Sequence, residues 1–246
     1  MNHDEYIRIN NSKTAVIMIH GILGTPRHFD CLLSAFPSDW DIYNILLDGH
    51  GGSVDDFSKS SMKKWKEQTE KTVCNLCKKY DKIVILAHSM GTLLSLSALL
   101  KKPCKIKCLF LLDVPLKMHL MPSAVINSTK VIFDKININN SKEMAVKNAC
   151  SITTTKKLWK YIFWIPRYLE LFKLASIISS NIDKIRVPCH IFQSRNDELV
   201  SLNSLSYLKK NKDFKINMLK FSGHFCYDKK DICFIRNYIK RISNIL

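Results

Sequence analysis

Residues 87–91 read Ala-His-Ser-Met-Gly and follow the apolar run "IVIL". A serine hydroxyl is a poor nucleophile by itself. It needs a base within hydrogen-bond reach, usually histidine, a carboxylate to orient that base, and N–H donors aimed at a developing oxyanion. Ser89 stands where a strand is expected to pass into a helix. Small residues at 87 and 91 leave room for a tight turn that exposes the serine at the strand's C-terminal edge. The first N–H groups of the helix then face the reacting centre, where the helix dipole favours negative charge. The pentapeptide is one residue short of Gly-x-Ser-x-Gly, the pattern of a nucleophile-bearing turn.

A base and an acid must come from elsewhere, and both are found downstream. "IFQSRNDELV" puts Asp197 three residues past Ser194, in a polar loop between strand and helix. "LKFSGHFCYD" puts His224 just past the last expected strand, in a loop that frees the ring to reach across the sheet top. The order is Ser, Asp, His. Two other carboxylates compete for the acid's role: Glu198, adjacent to Asp197, and Asp113, at the end of the strand after the serine's helix. His88 adjoins the nucleophile, and its side chain is expected to point away. Upstream, "MIHGILG" places a glycine-containing turn at the end of the first strand, a suitable source of another oxyanion N–H.

The elements that would position these groups alternate along the chain. Short apolar runs at 14–19, 42–47, 82–87 and 106–114 suit strands covered on both faces. Thr25 and Pro26 mark the cap and first turn of a helix. Further helices are expected at 61–80, with Trp65, Val73, Leu76 and Tyr80 on its apolar positions, and at 90–101. The alternation stops over 116–183, which carries no convincing strand and reads as helical around "SKEMAVKNAC" and "KKLWKYIFWIPRYLELFKLASII". It resumes with strands at 187–194 and 214–221, a short helix near 203–210 and a terminal helix at 229–243. This order predicts a parallel sheet with helices on both faces, and an insertion over one end of it. Trp159, Tyr161, Phe163, Trp164, Tyr168 and Phe172 crowd the insertion. They suit either an apolar lid over an acyl pocket or rings that fix the insertion to the core. Met118, Leu120 and Met121 are open to the same two uses.

Composition bounds the rest. The 246 residues suit one large domain with an inserted piece, and 46% hydrophobic residues supply a sizeable core. The net charge of +17 is carried by lysines spread along the whole chain, with no basic run, RNA-binding aromatic signature or metal finger, so nucleic-acid binding is not expected. A basic surface suits anionic substrates or an anionic membrane, so a transient membrane-surface contact stays open. The nine cysteines (31, 74, 77, 104, 108, 150, 189, 226 and 233) are odd in number, and the polar N-terminus is not expected to act as a secretory signal. Reduced thiols in a cytoplasm are the expected reading. Cys74-x-x-Cys77 lies inside an expected helix with no second pair at ligand spacing, so buried or half-buried thiols are expected rather than a metal or redox site.

Taken together, the sequence resembles the α/β-hydrolases, in particular the small esterase and monoacylglycerol-lipase-like branch. The matching residues are His20-Gly21-Ile22 after the first strand, Gly49-His50-Gly51 with Ser53 after the second, His88-Ser89-Met90-Gly91, Asp197 and Gly223-His224. The resemblance runs from about residue 14 to 243, the insertion excepted. It implies an α/β fold with a mostly parallel central sheet, a core of 1–115 and 184–246, and a helical cap of 116–183. It further implies a serine esterase with Ser89 as nucleophile, His224 as base and then acid, and Asp197 as the orienting acid. The backbone N–H groups of Ile22 and Met90 would form the oxyanion hole, and His20 and His50 would serve their turns structurally. No metal or organic cofactor is implied, and the expected partner is a small ester or lipid-like molecule. A monoacylglycerol lipase or lysophospholipase, an amidase or peptidase, and an acyltransferase are alternatives on the same fold. A non-catalytic binding module is a further one. The sequence departs from the family pattern at Ala87, where the first glycine is usual, and at Asp48, where a proline is frequent.

Overall fold

A computed structural model describes residues 5–101 and 105–246, so Cys104 lies outside the described residues. Seven strands form one sheet: β1 (Tyr6–Arg8), β2 (Thr14–Ile19), β3 (Asp41–Ile45), β4 (Lys82–His88), β5 (Ile106–Leu112), β6 (Cys189–Ser194) and β7 (Phe214–Leu219). The order is β1-β3-β2-β4-β5-β6-β7, parallel throughout except for β1, which runs antiparallel to β3 at one edge. Every residue of β2 and β6 is buried, as expected of strands covered on both faces.

Side chains alternate between the two faces of the sheet. Ala15, Ile17 and Ile19 join Ile83 and Ile85 on one face, under α2 (Met62–Lys79) and α3 (Met90–Leu99). Val16 and Met18 join Val84, Leu86 and Phe110 on the other, under α8 (Lys229–Ser243) and the segment Pro26–Ala35. That last segment is a series of 3₁₀ turns. Thr25 caps it by accepting from Arg27 N, and Pro26 opens it. In α2, Met62, Trp65, Thr69, Val73 and Leu76 recur every three or four residues and are all buried. Its cap, Ser61, accepts from Lys64 N.

Two short elements were not anticipated. The β1 strand is three residues long and largely exposed, and only its pairing with β3 makes it a strand. The helix α1 (Val54–Lys59) begins with a capping box in which Ser53 and Asp56 exchange side-chain-to-backbone bonds.

Residues 116–183 hold α4 (Pro122–Ile132), α5 (Ser141–Ala149), the 3₁₀ segment Leu158–Trp164 and α6 (Ile165–Ser179). A last short helix, α7 (Ser204–Leu208), lies between β6 and β7. The insertion is bonded to the loops after β2 and β3: Ser151 N donates to Leu23 O, Thr153 N to Gly52 O, and Trp164 Nε1 to Val54 O. Those loops leave the C-terminal ends of parallel strands, so the insertion lies over that end of the sheet. One face of α6, carrying Leu171, Leu174, Ala175 and Ile178, is buried in the same core as α2 and α3. Among the described residues no helix is long and apolar enough to cross a membrane.

Candidate active site

Ser89 lies between β4 and α3 with φ 51° and ψ −123°, a conformation unfavourable for a residue with a Cβ. Neighbouring bonds hold it there. Ser89 N donates to Leu112 O at 2.9 Å, and its own carbonyl accepts from Thr92 N at 2.9 Å and Thr92 Oγ1 at 2.6 Å. Packing sets the small residues around it. A Cβ on Gly91 would come within 2.0 Å of Ile19 O, so α3 approaches β2 this closely only with glycine there. A Cβ on Gly21 would meet Ser89 Cβ at 2.9 Å. Ala87 is the last residue of β4 paired with β2, opposite Ile19, and its methyl group is absorbed in the core.

The loop after β6 brings Asp197 to the loop after β7. His224 Nδ1 is 2.8 Å from Asp197 Oδ2, and both side chains are buried. Asp197 Oδ1 accepts from Leu199 N and Val200 N, at 2.8 and 2.6 Å, which fixes the carboxylate in its loop. With Nδ1 on the carboxylate, Nε2 is the ring nitrogen available for proton transfer. Burial lowers the His224 pKa, but the charge and hydrogen bond of Asp197, with Asp113 and Glu198 behind them, outweigh burial and raise it above the usual histidine value.

The three carboxylates considered for the acid are separated by their partners. Glu198 Oε2 accepts from His224 N at 2.8 Å and so holds the histidine loop by its backbone. Asp113 accepts from Ser194 N at 2.6 Å and Ser194 Oγ at 3.1 Å, and from Tyr227 OH at 2.5 Å. Burial, and then the nearby charge of Asp197, push the Asp113 carboxyl up to about 7. Asp197 is the carboxylate bonded to the ring of His224.

The other histidines fall into two groups. His20 Nε2 accepts from Leu47 N and His50 Nε2 accepts from Leu23 N, so each ring ties the turn after one strand to the turn after its neighbour. His88 was expected to point away from the site. Its ring instead lies between His28, stacked at 3.9 Å, and His224, at 4.7 Å. Burial, the first cause, and the neighbouring rings depress both, His28 to about 3 and His88 well below the usual value, so both are neutral supports under the His224 ring. Nothing in "TPRHFD" marks His28 for this place, and the Tyr227 contact to Asp113 is equally silent in sequence. Asp48, the second departure, is bound to α2: its carbonyl accepts from Trp65 Nε1, its N–H donates to Gln68 Oε1, and its carboxylate pairs with Lys64.

Ile22 follows Gly21 in the turn after β2, and Met90 is the first residue of α3. Neither N–H donates to a protein acceptor among the described residues. His88, Asp113 and His224 each bring one potential ligand atom within 4.8 Å of the others. Both oxygens of Asp113 already accept from protein donors, Oδ1 from Ser194 N and Oδ2 from Ser194 Oγ and Tyr227 OH. Cys74 is exposed and Cys77 half-buried on α2, and neither falls in such a grouping among the described residues. A cleft of about 340 Å³ lies against the histidine loop, lined by Phe225, Cys226 and Tyr227 with His28, Asn148 and Ile232.

The aromatic residues of the insertion divide. Trp164 is buried, donates to Val54 O and packs on Phe57 at 4.9 Å, while Tyr161 meets Trp164 at 4.8 Å. Trp159, Phe163 and Phe172 face solvent, as do Leu120 and Met121, whereas Met118 is half-buried against the core. Of these, Phe172 and Met118 line a cleft of about 380 Å³ together with Leu116, Ala175 and Tyr207.

Comparison with known proteins agrees with the fold. A sequence family described as alpha/beta hydrolase fold matches residues 14–137. The fold is similar to that in a structure described for LipS and LipT, two metagenome-derived lipolytic enzymes (TM-score 0.76, 17% identity, 99% of this chain and 98% of that one). It is also similar to Est1E from Butyrivibrio proteoclasticus, described with ferulic acid bound (0.65, 19%, 98% and 94%). A third similar structure is a lipase-esterase related protein from Clostridium acetobutylicum (0.65, 14%, 100% and 100%). No curated protein sequence matches the chain.

Proposed function

The chain belongs to the α/β-hydrolase fold family, and we propose that it is a serine hydrolase that cleaves a carboxylic ester with an apolar acyl group. The observation that carries this reading is the buried 2.8 Å bond between His224 Nδ1 and Asp197 Oδ2, on loops at the same end of the sheet as the strained turn of Ser89. An oriented histidine base and a serine held at positive φ, both at that end of the sheet, are what the reading draws on, and nucleophilic catalysis requires the two to meet.

In this reading Ser89 Oγ attacks the ester carbonyl carbon while its proton passes to His224 Nε2. The N–H groups of Ile22 and Met90, unpaired within the protein among the described residues, receive the oxyanion. Collapse of the tetrahedral intermediate breaks the bond to the alkoxy oxygen, which leaves as alcohol with the proton from His224. Water then attacks the acyl-serine, giving its proton to His224; the bond to Ser89 Oγ breaks as His224 returns that proton to Oγ, and the acid is released. Asp197 holds Nδ1–H throughout and stabilises the imidazolium. Residues 116–183 act as a cap on a core made of 1–115 and 184–246.

A fluorophosphonate probe tests the nucleophile directly. Labelling of the folded wild-type protein that is lost in Ser89→Ala is the expected result. Equal labelling of both, or none of either, removes the reading. Turnover of p-nitrophenyl esters of increasing acyl length then tests the apolar acyl group.

A further inference from the structure

The segment from Lys156 to Lys173 presents an apolar face to solvent that the fold does not use. Trp159 is 59% exposed and Phe163 55% exposed, and their rings meet edge-on at 6.4 Å. Leu158 and Ile162 stand beside them, and both are exposed. The face continues along α6, where Ile165, Leu169 and Phe172 recur at spacings of four and three and are again exposed. The opposite stripe of the same helix is buried in the core, so α6 is apolar on two sides and only one is covered. An exposed patch of this kind marks an interaction surface.

Charge says what covers it. Lys160 pairs with Asp55 and Arg167 with Glu170, but no carboxylate among the described residues pairs with Lys156, Lys157 or Lys173. The face is thus an aromatic and aliphatic stripe flanked by uncompensated lysines, on a chain of net charge +17. A second copy would bring like charge against like charge. A nucleic acid would engage the lysines but leave Leu158, Ile162 and Leu169 in water. An anionic bilayer satisfies both components: Trp and Phe rings at the headgroup level, aliphatic side chains in the acyl boundary, and lysines on acidic headgroups. We propose that residues 156–173 dock the protein, reversibly and without spanning, on an anionic lipid surface. The patch is held firmly against the body of the protein, because Trp164, within it, is buried on Phe57 and bonded to Val54 O.

Co-sedimentation with vesicles tests this independently of catalysis. The whole chain should pellet with phosphatidylcholine vesicles containing about a third phosphatidylglycerol, and far less with phosphatidylcholine alone. Raising the salt should release it. Trp159→Ala with Phe163→Ala should weaken the partition at least tenfold, as should Lys156→Glu with Lys157→Glu, while both variants keep the wild-type melting temperature. No pelleting with the anionic vesicles overturns the proposal, and so does equal pelleting of the variants. Sedimentation equilibrium without lipid covers the other occupant: a dimer that Trp159→Ala with Phe163→Ala dissolves, with no vesicle binding, would assign the face to a second copy.

Discussion

Tyr227 donates a 2.5 Å hydrogen bond to Oδ2 of Asp113, and this contact distinguishes two buried aspartates that lie close to the same histidine. Asp113 is held by Tyr227 and Ser194, whereas Asp197 is held by its own loop and meets the imidazole.

Substitution of the two aspartates should therefore have unequal effects. Asp197→Asn should cut kcat for a p-nitrophenyl ester by on the order of 10⁴-fold, because the ring loses its orienting carboxylate. Asp113→Asn should stay within about tenfold of wild type, since it touches the ring's surroundings rather than the ring. Comparable losses in both would transfer the role to a shared pair. With its carboxyl pushed up to about 7 by burial first and then by Asp197, Asp113 is destabilising when ionised. Asp113→Asn should thus be more favourable to stability at pH 8 than at pH 5, as read by urea unfolding.

The pH dependence of activity follows from His224. The base must be neutral, so kcat/KM should fall as pH falls through the His224 pKa. Asp197 raises that pKa against burial, so the midpoint should lie above the ordinary value of about 6.5. Stability should run the other way. A raised folded value means that protonated His224 favours the folded state, a contribution fully present below the unfolded value and lost as pH rises through the folded one. A midpoint below 6 in a rate profile would contradict this.

Gly91→Ala should be poorly tolerated although alanine is the better helix former. The added methyl would sit 2.0 Å from Ile19 O, a backbone atom in the central strand, and only a shift of α3 relieves it. A loss of about 3 kcal/mol or more is expected in chemical denaturation, at the upper end of overpacking costs.

Two tryptophans five residues apart should differ in the same assay. Trp164→Ala empties a buried site packed on Phe57 and removes one of the donors to Val54 O, which keeps its bond from Ser58 Oγ, at a cost of about 3–5 kcal/mol. Trp159→Ala removes an exposed ring and should change stability by no more than about 0.5 kcal/mol.

The buried parallel strands were readable because an apolar run such as "TAVIMI" or "KIVILA" has few other uses, and the terminal helix was readable at 229–243. The β1 strand was not, because three exposed residues become a strand only through pairing with Asn44, Tyr43 and Ile42, and through Arg8 reaching Pro37 O and Trp40 O. Such contacts have no local signal. Within the candidate site, Ser89, Asp197 and His224 each stand in a recognisable turn. The choice between Asp113 and Asp197 was not local, since both follow parallel strands. It rests on which loop reaches the His224 ring, and that is a tertiary fact. The stack of His28 and His88 was hidden for the same reason.

The strand order has a temporal corollary. Ser89 emerges from the ribosome on β4, but the loops that carry Asp197 and His224 follow β6 and β7, the last two strands laid onto the sheet. In the catalytic reading above, the serine stays chemically mute through most of synthesis and acquires its base only when the far edge of the sheet closes. Esterase activity would then double as a report that the carboxyl-terminal strands have folded.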